Sequence, residues 1–245
     1  MRALISLLVC ISLPALAADF NDTGITFCGD DITNVADCAT VAINGGSHPR
    51  QDARYGRDVA AMAGQVTKVG GGEAGFDFTA LDVSGLPTTP GSSATPHPCT
   101  RDNVTGLVWE VKSADGGLRD QKWTYSWYDS VYLYNGYQSA TTNCKTTGRC
   151  DTEKFVADVN VSALCGFSNW RMPTTNELQG IVHYGRITPA IDPLYFPNTL
   201  SSVFWSGSPD TSYWSDALLV SFVNGNTNAG SQSSGKHVRL VRSGQ

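Results

Sequence analysis

The cysteines restrict the folds open to this chain more than any other feature. The chain has 7, of which Cys10 lies in an apolar amino-terminal segment, so six remain beyond it. Residues 1–17 have the pattern of a secretory signal peptide, with Arg2, an apolar run and a small-x-small cleavage site at Ala15-Leu16-Ala17. The run is too short to span a membrane. We therefore expect a soluble protein without an integral membrane segment, either secreted, periplasmic or on the cell surface, whose cysteines form disulfides.

Six cysteines permit 15 pairings, and the sequence alone does not choose among them. Their spacing favours two short loops, closed by Cys28–Cys38 and by Cys144–Cys150. That choice leaves Cys99–Cys165 as a long-range link. A cysteine held in a disulfide is neither a nucleophile nor a metal ligand, so this pairing weakens several enzyme hypotheses.

The charge balance restricts the kinds of partner that this chain is expected to bind. The whole chain has a net charge of -5, and removal of Arg2 with residues 1–17 leaves 16 Lys+Arg against 22 Asp+Glu. Nucleic-acid binding requires a basic stripe, which this sequence lacks.

The 4 histidines form no H-E-x-x-H motif and no C-x-x-C occurs, so neither a metal site nor a cofactor is predicted.

Composition divides the chain beyond the signal peptide into three parts. Residues 18–78 are Gly-rich and weakly patterned, which indicates an N-terminal appendage. Residues 79–98 carry prolines among Ser, Thr and Gly, the composition of a linker. Residues 99–245 have sharper hydrophobic patterning and are predicted to form the main domain.

Within that domain, the patterns predict two helices and an antiparallel sheet, and hence an α+β fold. Alternation over residues 106–111 predicts a half-buried strand, and residues 201–208 and 236–242 read as further strands. Residues 151–166 predict a helix that Asp151 or Thr152 caps and Gly166 ends, with Phe155, Val156, Val159 and Ala163 on one face.

The segment "WRMPTTNELQGIV" predicts the second helix. Thr174 and Glu177 have the T-x-x-E spacing of a capping box, in which each side chain bonds the backbone of the other residue. We therefore assign Glu177 to structural capping and not to acid–base catalysis. His183 is expected at the carboxyl end of this helix, where a cation suits the helix dipole.

Several motifs together resemble a known family. They occur in order as "CTRDNVTGLVWEV", "WTYSWYD", "LCGFSNWRMPTTNEL", "PAIDPLYFPNT", "FWSGSP" and "VRLVRSGQ". This order is similar to that of the Lcl C-terminal domain family, named for the C-terminal domain of a collagen-like bacterial adhesin. The resemblance covers about residues 99–243, and residues 50–78 look like the lead-in segment of many members. It implies a C-type-lectin-like fold related to formylglycine-generating enzymes.

Three departures limit what the resemblance implies. Formylglycine-generating enzymes use late cysteines, and no cysteine follows Cys165. Calcium-dependent lectins carry a Trp-Asn-Asp element, which "YWSDA" at residues 213–217 does not match. The named adhesin binds sulfated glycans, which suit an acidic chain poorly.

Two late loops are the predicted ligand-binding region. Residues 207–216 combine aromatic and acidic side chains, and residues 224–235 are rich in amides, which match sugar hydroxyls as both donors and acceptors. The predicted ligand-binding residues are Asp210, Tyr213, Trp214, Asn224, Asn226, Asn228 and Gln232. The tract 123–137, with two tryptophans and five tyrosines, is the next candidate, unless Trp123 and Trp127 pack in the core while the tyrosines coat a surface loop.

Two functions are compatible with these patterns. The favoured one is an exported, non-enzymatic binding module, adhesive or ligand-binding, whose partner is a glycan or protein outside the cytoplasm. The alternative is a hydrolase or transferase acting on envelope glycans, although no G-x-S-x-G nucleophile motif supports it.

Overall fold

A computed structural model describes residues 21–29, 34–35, 38, 51–141 and 143–244. The predicted signal peptide lies outside these residues. The described helices are α1 (Asp52–Tyr55), α2 (Arg57–Met62), α3 (Thr152–Val161) and α4 (Thr175–Gln179), with a 3-10 turn at Leu164–Gly166. The described strands are β1 (Cys28–Gly29), β2 (Asn34–Val35), β3 (Phe78–Leu81), β4 (Cys99–Asp102), β5 (Leu107–Glu110), β6 (Val203–Pro209), β7 (Asp216–Ser221), β8 (Thr227–Ser231) and β9 (Val241–Ser243).

The strands form antiparallel sheets, which confirms the predicted α+β class. One sheet has four strands in the order β3-β4-β5-β9, another has three in the order β6-β7-β8, and β1 pairs with β2. Helices α3 and α4 are the two predicted for the main domain. The short helices α1 and α2 precede the four-stranded sheet in the chain.

Strand β5 is buried on both faces, so the prediction of a half-buried strand was wrong. Val108 packs into one hydrophobic cluster and Trp109 into a second, and neither side chain is exposed. Glu110 is also fully buried. Both faces are covered because the sheet that contains β5 separates the two clusters, with alternate residues of its strands packed into each.

Helix α3 begins as predicted but ends early. The Asp151 carboxylate accepts a hydrogen bond from the Lys154 amide, and Phe155 and Val159 are buried. The helix stops at Val161 because Ala163 and Cys165 adopt left-handed backbone conformations, with φ of 49° and 54°. Ala163 is consequently exposed and does not belong to the buried face.

The chain near the carboxyl end contributes a shorter regular strand than residues 236–242 predicted. The Lys236 amide bonds Tyr125 and the His237 amide bonds Val203, whereas the Leu240 carbonyl accepts from Glu110. This segment therefore crosses between the two sheets, and regular pairing begins only at Val241.

The three disulfides pair as the spacing favoured: Cys28–Cys38, Cys99–Cys165 and Cys144–Cys150. The Cys99–Cys165 bond joins the start of β4 to the 3-10 turn after α3, across a sequence separation of 66. It lies in the same hydrophobic cluster as Val108.

The segment expected as appendage and linker contributes to the main sheet. Strand β3 spans the expected boundary at residue 78 and pairs with β4. Phe76 and Phe78 are buried in the second cluster, and Leu81, inside the expected linker, is buried in the first. This strand has only four residues, between a Gly-rich tract and a Pro-rich one.

The segment beginning at residue 21 also contacts the main domain. The Asn21 side-chain amide donates to the Asp102 carboxylate and to the Gly180 carbonyl. The Tyr184 amide donates to the Thr23 carbonyl. These bonds attach residues 21–23 to β4 and to the chain after α4.

Candidate functional site

Thr174 and Glu177 form the predicted capping box at the start of α4. The Thr174 hydroxyl accepts from the Glu177 amide at 3.2 Å, and the Glu177 carboxylate accepts from the Thr174 amide at 2.8 Å. Pro173 precedes the cap, and Leu178 is buried on the helix. The helix itself is short, so His183 lies beyond its end.

Glu177 has a further partner that the sequence did not indicate. Both of its oxygens accept from the Arg171 guanidinium, at 2.6 and 2.8 Å. Burial opposes ionisation, but the bonds from Arg171 and Thr174 outweigh it and hold the pKa of Glu177 below its usual value. A carboxylate with these bonds is ionised at neutral pH and already occupied.

The tryptophan- and tyrosine-rich tract divides between core and surface. Trp127 is buried, and its indole Nε1 donates to the Ser206 carbonyl. Tyr125 is also buried, stacked on Phe155 at 4.6 Å between ring centroids, although it was expected on the surface. Burial in this cluster raises the pKa of the Tyr125 phenol. Trp123 is partly buried.

The tyrosine loop, residues 128–137, meets the predicted loop 207–216. The rings of Tyr134 and Trp214 lie 5.7 Å apart between centroids, inclined at 40°. Tyr134 is 49% exposed, Trp214 64% and Tyr213 67%. We call Tyr134, Tyr213 and Trp214 the aromatic surface.

A shallow cleft of about 330 Å³ adjoins this surface. Its lining residues are Leu133, Tyr134, Asn135, Gly136, Tyr137, Trp214 and Gln232. Gln232 is almost fully buried, and its side-chain amide donates to the Asp216 carbonyl at 3.1 Å. Its backbone carbonyl accepts from the Trp127 amide, which connects the cleft to the core.

The structure separates the predicted ligand-binding residues into two groups. Strands β7 and β8 pair from Asp216 opposite Ser231 to Val220 opposite Thr227. The aromatic surface lies at the Asp216 end, whereas Asn224 and Asn226 lie in the hairpin turn at the other end. Four residues of strand place the two ends about 13 Å apart.

The remaining members of the two groups differ in their contacts. The Asp210 carboxylate accepts from the Ser212 amide and so shapes the loop before Trp214. The Asn224 side chain accepts from the Asn226 amide, which shapes the turn. Asn228 is exposed in β8, opposite Leu219 of β7. Only Asp210, Tyr213, Trp214 and Gln232 belong to the end near the aromatic surface.

The described histidines are buried or partly buried. Burial lowers the pKa of His97, His183 and His237 below the usual value, which favours the neutral ring in all three. Within the part of the chain that the structure describes, no three His, Cys, Asp or Glu side chains converge as metal ligands. The same part contains no helix that is long and apolar enough to cross a membrane.

Comparison with known proteins supports the resemblance seen in the motifs. No curated protein matches the chain. The family model of the Lcl C-terminal domain matches residues 98–242, more than half of the chain. The matched region runs from the residue before β4 into β9, and it includes the capping box and the aromatic surface. The chain therefore belongs to the Lcl C-terminal domain family.

Proposed function

We propose that this protein is an exported, non-enzymatic module that binds a glycan at the aromatic surface. Membership in the Lcl C-terminal domain family indicates an extracellular binding-type domain. The three disulfides are consistent with a location outside the cytoplasm. The contact between Tyr134 and Trp214 is the observation that carries the choice of site.

The chemistry of the surface favours a sugar. Large exposed aromatic rings are costly to leave in water, and a ring can cover the apolar face of a pyranose. Asn135 lines the adjoining cleft, and its side-chain amide can bond hydroxyl groups as both donor and acceptor. The side chains of Asp210 and Asp216 nearby favour a neutral glycan over a sulfated one.

Tyr134 and Trp214 come from distant parts of the chain, and their rings pack against each other. Tyr132 packs edge-on against buried Trp127 at 5.9 Å, and it contacts Tyr134 at 6.4 Å between centroids. The tyrosine loop is thereby anchored to the core. A surface held in place before binding loses little conformational entropy when a ligand docks.

A glycan array with single variants tests the proposal. Trp214→Ala should weaken binding to the glycan that the array identifies by at least tenfold, because buried aromatic anchors dominate interface energies. The matched control is Tyr55→Ala, which removes another exposed aromatic residue, 63% exposed in α1. The Tm of both variants should stay close to that of the wild type.

Two further results would redirect the assignment. If Asn226→Ala abolishes binding while Trp214→Ala does not, the ligand binds at the β7–β8 turn. If the array shows no glycan and a protein is captured instead through Trp214, the site is correct but the ligand class is not.

The enzymatic alternative is tested separately. A reducing-sugar release assay on envelope glycans should show no activity above that of the buffer. Sustained release by the wild-type protein would identify it as a hydrolase and contradict the binding-module proposal.

A further inference from the structure

A second cleft is lined in part by the start of the tyrosine loop, at Tyr128 and Asp129. It has a volume of about 500 Å³, larger than the cleft beside the aromatic surface. Its lining residues are Trp127, Tyr128, Asp129, Thr152, Glu153, Val156, Arg171, Met172, Pro173, Thr174 and Gly207. We call it the WRMPT cleft, because residues 171–174 form one of its walls.

Most of the wall is apolar. Val156 of α3 and Met172 belong to the margin of the first hydrophobic cluster, and buried Trp127 is a member of it. The Trp127 ring cannot turn freely, because its Nε1 bonds the Ser206 carbonyl at 3.0 Å. This wall suits an extended hydrocarbon chain.

Two carboxylates border this apolar wall. The Oδ1 atom of Asp129 accepts from the Val131 amide, and the Oε2 atom of Glu153 accepts from the Ser130 amide. Among the residues that the structure describes, no donor bonds the second oxygen of either carboxylate. Each therefore has an oxygen available to a ligand.

The one cation in the lining is already neutralised. Arg171 donates two hydrogen bonds to Glu177, and that contact raises the pKa of the guanidinium further. Asp129 and Glu153 consequently give the cleft a net negative charge.

We propose that the WRMPT cleft binds a lysine or arginine side chain of a basic peptide. The aliphatic stem of such a side chain covers apolar surface while its charged end stays among polar groups. Here the stem would lie along Val156 and Met172, and the cation would reach Asp129 and Glu153. An anionic group is disfavoured by the same carboxylates. This site is independent of the glycan site proposed above.

A titration monitored by NMR, on the protein with its disulfides formed, tests this proposal. The probe is N-acetyl-lysine methylamide, and the matched neutral probe is N-acetyl-norleucine methylamide, which keeps the hydrocarbon stem but lacks the ammonium group. The lysine probe should shift the amides of Tyr128, Asp129 and Glu153, with a Kd at least fivefold lower than that of the norleucine probe. Equal affinity for the two probes would overturn the proposal, as would shifts confined to other surfaces.

Single variants then test whether Asp129 and Glu153 bind the ammonium group of the lysine probe. Glu153→Gln and Asp129→Asn keep an oxygen for the Ser130 and Val131 amides but remove the charge. Each should raise the Kd about threefold, the size expected for an exposed ion pair. Asp210→Asn is the matched control, since Asp210 accepts from the amide two residues ahead as Asp129 does. It should leave the Kd unchanged.

A variant that fills the cleft and a change of salt concentration provide two further tests. Val156→Phe should fill the cleft and weaken both probes, while Trp214→Ala should weaken neither. Raising the salt concentration from 50 to 500 mM should weaken the lysine probe and leave the norleucine probe nearly unaffected, because salt screens charges. Unchanged lysine binding in both Glu153→Gln and Val156→Phe would show that the cleft is not the site.

Discussion

Glu177 has two structural roles at one position in the chain. It completes the cap of α4 by accepting from the Thr174 amide, and it accepts from both terminal guanidinium nitrogens of Arg171. Arg171 in turn bonds the backbone of Val241 in β9. The ion pair with Arg171, whose backbone pairs with Val241, therefore connects the helix start to the last strand of the four-stranded sheet.

Substitutions at the cap separate these two roles. Thr174→Ala should lower the free energy of unfolding by about 1 kcal/mol, the usual cost of removing a capping hydroxyl. Glu177→Gln keeps an oxygen for the Thr174 amide but loses the ion pair, so it should cost about 0.5 kcal/mol, because the pair is partly exposed. Urea unfolding at pH 7 measures both values. A loss above about 3 kcal/mol with Glu177→Gln would contradict this account.

The contribution of Glu177 should also depend on pH. Its pKa is lower in the folded protein than the ordinary value of 4.5, so ionisation stabilises the fold. That contribution is fully present above the unfolded pKa and is lost as the pH falls through the folded pKa. The difference in stability between wild type and Glu177→Gln should therefore persist at pH 6 and vanish in the acid range below about 4.5. A difference that stays constant to pH 2 would contradict the assignment.

At the scale of elements, strand β5 is the most unusual. Glu110 is fully buried, and its two oxygens accept from the Lys112 ammonium at 2.8 Å and from the Leu240 amide at 2.9 Å. Burial lowers the pKa of Lys112, and Glu110 opposes that change. Arg239 is buried nearby and donates to the Glu110 carbonyl. Ionised groups inside a sheet require this degree of pairing.

Removing the charge of Glu110 should therefore be costly. Glu110→Gln leaves one acceptor for two donors and an unpaired buried ammonium, so unfolding free energy should fall by about 3–5 kcal/mol. The control is the double variant Glu110→Gln/Lys112→Met, which also removes the cation and should recover part of the loss. Denaturant unfolding of the three proteins checks the order. A single variant within about 1 kcal/mol of wild type would refute the importance of this pair.

At the scale of the whole molecule, the disulfides and the sheets hold distant segments together. Cys99–Cys165 links β4 to the turn after α3, and β3 brings a segment from before the matched family region into the same sheet. The two hydrophobic clusters lie on opposite sides of that sheet. The free energy of unfolding should consequently depend on the disulfide and the strand pairing that join residues distant in the chain.

Two of the disulfides, Cys99–Cys165 and Cys144–Cys150, should therefore differ in their effect. Cys99→Ala/Cys165→Ala should lower the free energy of unfolding by about 4 kcal/mol in the chain-entropy model, because the bond closes a long loop. Cys144→Ala/Cys150→Ala, with a sequence separation of 6, should cost about 2 kcal/mol. Thermal and urea unfolding of the two double variants gives the comparison. An equal loss in both would show that loop length does not control these contributions.

Sequence signals between residues close in the chain were sufficient to predict part of this structure. The capping box involves residues three apart, the Asp151 cap involves its own helix, and two of the disulfides close short loops. The ordered motifs were also sufficient to identify the family. The two caps depend on neighbouring residues and the two short disulfide loops on close spacing, so the sequence indicated them without knowledge of the fold.

Burial and contacts between distant segments were decided only by the tertiary structure. Alternation in β5 shows a change of face at each residue, but it does not show that both faces are covered. Tyr134 and Trp214 are far apart in the chain, and they meet because the tyrosine loop is anchored on Trp127 beside the end of β7. Asn224 and Asn226, nearer to Trp214 in sequence, are carried to the opposite end by an extended hairpin. Proximity in space depends on how elements pack, and composition and periodicity carry no information about that.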